Sequence, residues 1–176
     1  MDNIILIGMP ASGKSTLGVL LAKSLGMDFI DTDILIQIRE QCALQKIIDT
    51  RGLDDFLEAE MKGILSLHCQ STVIATGGSV IYREPSMEHL KSLGKLIFLD
   101  FPLEEIQRRL QNITSRGIAM ARGKSLEELY LERRPLYQKY ADFTLRGEEY
   151  PVHIESILCK IYDTLGITRG ECFHGV

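Results

Sequence analysis

The chain has 176 residues, one domain's worth, and 45% of them are hydrophobic, enough to bury a core. Its formal net charge is −4 with no long basic run, which argues against a nucleic-acid partner. No apolar run approaches the roughly 18 residues that read as a membrane span, no charged leader with a cleavage site precedes the first apolar run, and the four cysteines form no C-x-x-C pair, so a cytoplasmic protein without a membrane partner or zinc site is expected.

The first apolar run, residues 4–7, reads as a strand. It leads into Gly8-Met9-Pro10-Ala11-Ser12-Gly13-Lys14-Ser15, which fits the phosphate-binding pattern G-x-x-x-x-G-K-[ST], and then into a helical pattern over Lys14–Leu25. Strand, loop and helix in that order is the context the pattern needs. Glycine lets the backbone curl so that successive N–H groups point at phosphate oxygens, and the helix start adds partial positive charge. Gly8, Ala11, Ser12, Gly13, Lys14, Ser15 and Thr16 are therefore the expected nucleotide-binding residues. Lys14 would reach the β- and γ-phosphates and Ser15 would ligate Mg²⁺. ATP and Mg²⁺ are the implied ligands.

A second strand is expected over Asp28–Asp31, followed by one or two helices within residues 34–50. At its end stands Asp31-Thr32-Asp33. In extended chain the two carboxylates face one side, where one would hold the metal and the other orient or deprotonate an attacking hydroxyl. The competing reading is helix N-capping. Next come a helix over 56–69 and a strand over Thr72–Ala75. Thr76-Gly77-Gly78-Ser79 follows, where paired glycines either let backbone approach a ligand or make a tight turn.

Helical patterns over Glu84–Leu93 and Leu103–Gln111 flank an apolar run at 96–99. Residues 112–124 are polar, with Arg116, Arg122, Lys124 and two glycines, and suit a basic lid over phosphates. The helix expected over Leu126–Tyr140 contains Arg133-Arg134-Pro135-Leu136-Tyr137. Its arginines suit a carboxylate or are surface charge, and its proline should kink or break it. A strand at 143–145 and a helix at 152–165 complete the pattern. Near-continuous apolar strands alternating with helices imply an α/β fold with a parallel sheet covered on both faces and ligands at the strands' carboxyl ends. Residues 1–167 are read as one domain with a lid at 112–124, and 168–176 as a frayed tail that includes Cys172 and His174.

Together these pieces resemble the shikimate kinase family, over about residues 3–165. The resemblance rests on the P-loop, on Phe29-Ile30-Asp31-Thr32-Asp33, on Thr76-Gly77-Gly78, on Arg108-Arg109, on Arg116 and on Arg133-x-Pro135-Leu136-Tyr137. It implies a three-layer P-loop kinase fold, its five-stranded parallel sheet in the order 2-3-1-4-5. It also implies an ATP-dependent transfer of phosphate to a hydroxyl. By resemblance, Asp31 supports the metal, Asp33 contacts the reacting hydroxyl, and Gly77 and Gly78 line the acceptor and γ-phosphate region. Arg109 stacks on adenine, Arg116 is the catalytic lid arginine, and Arg133 holds the acceptor's carboxylate. The partner is a small hydroxylated metabolite, and the chain a monomer or weak oligomer.

The departures gather on the acceptor side. The family pattern G-E-x-x-F-R-x-x-E reads here Gly52-Leu53-Asp54-Asp55-Phe56-Leu57-Glu58-Ala59-Glu60, so leucine stands where a second carboxylate-binding arginine is expected. The glycine triplet has become Gly77-Gly78-Ser79, and Pro-Leu-Leu after the lid arginine has become Gly117-Ile118-Ala119. Losing a charge-assisted bond to a carboxylate forfeits roughly 1.5–3 kcal/mol, about one to two decades in affinity. Arg51 is the nearby cation that would have to reach in instead. Three readings follow: a shikimate kinase relying on Arg133, a kinase for another acceptor such as homoserine or a sugar acid, or a nucleotide-binding regulatory protein.

Overall fold

The structure is a computed structural model and describes residues 2–111, 123–147 and 154–167. Five strands, β1 (Asn3–Ile7), β2 (Asp28–Asp31), β3 (Thr72–Ala75), β4 (Gly94–Asp100) and β5 (Phe143–Arg146), form one parallel sheet in the order β2-β3-β1-β4-β5. The helices are α1 (Lys14–Leu25), α2 (Thr32–Glu40), α3 (Leu44–Arg51), α4 (Leu53–Leu65), α5 (Glu84–Leu93), α6 (Leu103–Gln111), α7 (Leu126–Tyr140) and α8 (Ile154–Leu165). A short 3-10 turn, Val80–Tyr82, precedes α5. No helix among the described residues is long and apolar enough to cross a membrane.

β1 is apolar along nearly its whole length because it is central. Asn3 through Ile7 are all buried, with β3 on one side and β4 on the other. Side chains of Leu17, Leu21, Val73, Ile74, Leu96, Phe98, Met87 and Ile106 close over both faces to make the main core. Helix α1 lies close to the sheet because Gly18 carries no Cβ: one built there would stand 2.6 Å from the Phe29 ring. A second, smaller core of Ile36, Ile47, Phe56 and Ala59, with Leu53 and Leu57 packed against it, holds α2, α3 and α4 together beside β2.

Two sequence expectations are corrected. The pattern expected to begin at Phe56 begins at Leu53, because Gly52 at φ 91° ends α3 and starts α4 without an intervening loop. Helix α7 continues through Pro135. Proline leaves the Leu131 carbonyl without its intrahelical donor, but Leu131 is among the most exposed large apolar residues, so water can take that bond. The start of α7 is fixed by a capping box, in which Ser125 Oγ accepts from the Glu128 amide at 3.1 Å and the Ser125 amide donates to Glu128 Oε2 at 2.7 Å.

One polar residue ties the amino-terminal edge of the sheet. Asn3 is buried; its Nδ2 donates to the carbonyls of Cys69 at 2.8 Å and Leu93 at 3.0 Å, and its Oδ1 accepts from the Thr72 amide at 3.0 Å. It thereby sets the entry of β3 and β4 against β1. Asn3→Ala leaves these three backbone groups without that partner and should lower stability by about 3 kcal/mol, read from urea unfolding, while the KM for ATP at the far end of the sheet stays unchanged.

Candidate active site

The carboxyl ends of β1, β2 and β3 bring the chemistry together. After β1 the chain curls through Gly8 at φ 145° and Gly13 at φ 95°, and even Ala11 takes a left-handed φ of 61°. A Cβ on Gly8 would stand 2.9 Å from the Leu99 carbonyl, so the loop is seated on β4 as well as β1. Lys14 is buried, and its Nζ donates to the carbonyls of Gly8 and Met9, both at 2.8 Å. The ammonium is thus held over the loop at the start of α1, whose dipole favours an anion there. Arg109 on α6 also engages the loop. Its Nη1 donates to the Ser12 carbonyl at 2.9 Å, its Nε donates to Glu105 at 2.6 Å, and its guanidinium lies 4.2 Å from the centre of the Phe101 ring.

The Asp-Thr-Asp stretch is built differently from the extended pair expected. Helix α2 begins at Thr32, so Asp31 is its N-cap and accepts from the Asp33 amide at 3.0 Å. Only Asp31 remains in strand geometry. Thr32 is buried and its Oγ1 accepts from the Gly77 amide at 3.1 Å, which fastens α2 to the end of β3. Asp33 still reaches the site from the first turn of α2: a Cβ on Gly77 would lie 2.8 Å from Asp33 Oδ1. The two aspartates are brought to one edge by a helix start instead of by strand alternation.

Gly77 and Gly78 lie where larger residues would collide. A Cβ on Gly77 would fall against Glu60 Oε1, and one on Gly78 would stand 2.9 Å from Pro10 and 3.2 Å from Arg133 Nη1. Tyr137, stacked on Phe98 with ring centres 5.0 Å apart, donates to the Gly78 carbonyl at 2.5 Å. Burial pushes its hydroxyl well above the usual tyrosine range, so it stays a donor. Arg133 is fully buried; its Nε donates to the Tyr82 hydroxyl at 3.0 Å and its guanidinium lies 5.0 Å from the Tyr82 ring centre. Its neighbour Arg134, about 100° round the helix, instead grips the buried Asp100 at the end of β4 with two bonds of 2.9 Å. The tandem arginines thus divide into one site residue and one anchor for α7.

Three residues went unrecognised as site members in the sequence: Glu60, Tyr82 and Tyr137. Glu60 had a legible signal. It sits in the buried stripe Phe56, Ala59, Glu60, Gly63, Ile64 of α4, a carboxyl on an apolar face. It accepts from Ser79 Oγ at 3.0 Å. Burial, with the Asp33 carboxylate adding to it, pushes Glu60 up to about 8, against the opposing pull of the Ser79 bond, Arg133 and Lys14. Arg51 does not serve the site. It is exposed and paired with Glu40 at 2.5 Å and Asp55 at 3.5 Å. Leu57 packs into the smaller core. Arg116 and Arg122 lie outside the described residues.

The residues fit the nucleotide and its metal. The curled loop, the buried Lys14 and the α1 start match a triphosphate, while Ser15 and Asp31 supply the hard oxygen donors Mg²⁺ prefers. A parallel sheet with this loop on its central strand, facing an aspartate and a buried arginine, defines a P-loop kinase of small molecules. The comparisons carry this further. The shikimate kinase family model matches residues 10–165. A shikimate kinase of Clostridium botulinum (strain Loch Maree) is 41% identical over 143 residues, covering 79% of this chain and 84% of the relative. One from Aquifex aeolicus is 34% identical over 152 residues, covering 86% and 90%. Among solved structures, the Acinetobacter baumannii shikimate kinase in complex with shikimate aligns with a TM-score of 0.85 at 28% identity, over 94% of this chain and 93% of that one. This chain belongs to the shikimate kinase family. It is an ATP-dependent kinase with a hydroxyl acceptor and uses Mg²⁺. Neither another acceptor nor a purely regulatory nucleotide-binding role is favoured.

The state of Glu60 gives a stability signature. With its pKa raised on folding, the native chain keeps a proton that the unfolded chain has released, from the ordinary carboxylate range up to about 8. Stability contributed by this group is therefore full below that window and falls as pH rises through it. Urea unfolding between pH 5 and 9 should show the decline, and Glu60→Gln should flatten it. An equal slope in the variant would mean that Glu60 is ionised in the native state at neutral pH.

Proposed function

We propose that the chain transfers the γ-phosphoryl group of ATP to a hydroxyl of shikimate. The observation that carries this reading is the burial of the Arg133 guanidinium beside Gly78, on the same side of the P-loop as Asp33. A buried arginine there offers a carboxylate a charge-assisted, two-pronged bond, and Asp33 is placed for the hydroxyl that reacts.

In this reading, Lys14 and the loop amides of Gly8, Ala11, Ser12, Gly13, Ser15 and Thr16 hold the β- and γ-phosphates. Mg²⁺, held through Ser15 and Asp31, would neutralise charge on the transferring group. Asp33 orients the acceptor hydroxyl and takes its proton as the oxygen attacks the γ-phosphorus in line, and the bond from that phosphorus to the bridging oxygen breaks so that ADP leaves on the opposite side. The amides of Gly77 and Gly78 border the acceptor, and Arg133 holds its carboxylate. Arg109 lies against the adenine, its guanidinium fixed by Glu105 and the Ser12 carbonyl. Arg116, which lies outside the described residues, is the arginine that the resemblance assigns to the developing charge. The described residues up to 167 act as one domain, as a monomer or weak oligomer, and 168–176 lie outside the described residues. Cys42, Cys69 and Cys159 are free thiols, which suits the cytoplasm.

A coupled ADP-release assay with Mg-ATP against shikimate, homoserine, gluconate and quinate, beside a control without acceptor, tests the assignment. Turnover is expected with shikimate, and turnover with another of the four alone would overturn it. Arg133→Met should raise the KM for shikimate by about 10- to 100-fold with little change for ATP. Asp33→Asn should lower kcat by about 10²–10⁴-fold.

A further inference from the structure

Two departures from the family pattern, Leu57 and Ser79, converge on one buried carboxyl group. Glu60 is 1% exposed; its Oε1 accepts from Ser79 Oγ at 3.0 Å, and its Oε2, also buried, has no hydrogen-bond partner among the described residues. The space beside Gly77 Cα is bordered by Glu60 Oε1 and Asp33 Oδ1 together. Leu57 and Glu60 are three residues apart on α4 and so share a face of the helix. An arginine at 57 would stand within ion-pair reach of Glu60 and keep it ionised. Here leucine removes that cation, and serine, where the pattern has glycine, supplies a hydroxyl to the same carboxyl.

A hydroxyl orients a carboxyl group but does not neutralise it. Among the described residues, the charged groups that face Glu60 are Asp33 from α2, Lys14 from the start of α1 and Arg133 from α7, with the Tyr137 hydroxyl also on α7. With one carboxylate already beside it and burial complete, the neutral acid is the favoured form. Ser79 Oγ–H then donates to Oε1, and the proton of Glu60 sits on Oε2 as a second donor.

We propose that Ser79 is a positioning residue that takes the place of the arginine absent at 57, fixing Glu60 so that its Oε2–H donates a hydrogen bond to an oxygen of the acceptor next to Asp33. The inference rests on reading the chain as a kinase whose acceptor lies between Asp33 and Arg133.

Ser79→Gly restores the family's glycine and Leu57→Arg restores its cation. With shikimate and Mg-ATP at pH 7, Ser79→Gly should raise the KM for shikimate about tenfold, with the KM for ATP unmoved and a much smaller change in kcat. An arginine at 57 would ionise Glu60, removing this donor, and would itself meet the acceptor's carboxylate, so Ser79→Gly made in a Leu57→Arg background should change the KM for shikimate little relative to Leu57→Arg alone, and the two effects do not add. An unchanged KM for shikimate in Ser79→Gly, equal rises in both KM values, or simple additivity overturns the proposal. A readout without acceptor separates it from the choice of substrate: the Glu60 side-chain carboxyl signal in ¹³C NMR, assigned with Glu60→Gln. It should titrate above neutral pH in the wild type and move down in Leu57→Arg. If the wild type does not phosphorylate shikimate, the substrate assignment fails and this titration decides the pairing. Titration in the ordinary carboxylate range, or no response to Leu57→Arg, overturns it.

Discussion

The site depends on β1 being buried at the centre of the sheet, paired in parallel with β3 and β4. Parallel pairing on both sides aligns the strands' carboxyl ends, so that the loop after Ile7, the Thr76–Gly78 stretch after Ala75 and the β4 end at Asp100 all open toward one edge. Leu6 in register with Ala75, and Ile7 with Phe98, leave Gly8 pressed against Leu99 and Gly78 pressed against Pro10. Backbone approaches this close leave no room for side chains. The glycines therefore do two things at once: they permit the curl and they let the loop after β1 touch the loop after β3.

Around that contact the interior is unusually charged. Lys14, Glu60 and Arg133 are all buried within one neighbourhood, and Asp33 stands beside them half-buried. Each such group is costly to bury alone and is retained where partners answer it. Lys14 is answered by two loop carbonyls, Arg133 by the Tyr82 hydroxyl and ring, and Glu60 by the Ser79 hydroxyl. Tyr137 and Thr32 are neutral, and their bonds to the Gly78 carbonyl and Gly77 amide hold the glycine pair rigid between these charges. A site that transfers phosphate needs such pre-set dipoles, because charge moves through it and its groups must not reorganise to meet that charge.

The sequence spoke clearly where local rules act. Strands β2 and β3 and helices α1, α5, α6 and α7 were legible at their observed bounds, since apolar runs and 3.6-residue periodicity report burial directly. The P-loop was legible because its chemistry is carried by a contiguous stretch. What misled was local reasoning applied one element too far. Asp31 and Asp33 were read as extended neighbours although a helix begins between them, and Pro135 was read as a breaker although water is at hand to satisfy the freed carbonyl.

By itself, then, the sequence determined the fold class, the order of elements and the nucleotide-binding loop, because each is encoded in spacing along the chain, while its resemblance to a known family implied the kinase chemistry. Only the tertiary structure decided that Arg133 is buried against Tyr82 while Arg134 anchors α7 to Asp100, that Arg51 turns outward to Glu40, and that Glu60 is buried beside Ser79. These depend on which face of a helix meets which strand end. The partners concerned lie nineteen residues apart for Glu60 and Ser79, and fifty-one for Arg133 and Tyr82. Burial, which pushes Glu60 above the ordinary carboxylate range, arises when those distant segments pack together, and no stretch of sequence carries it alone.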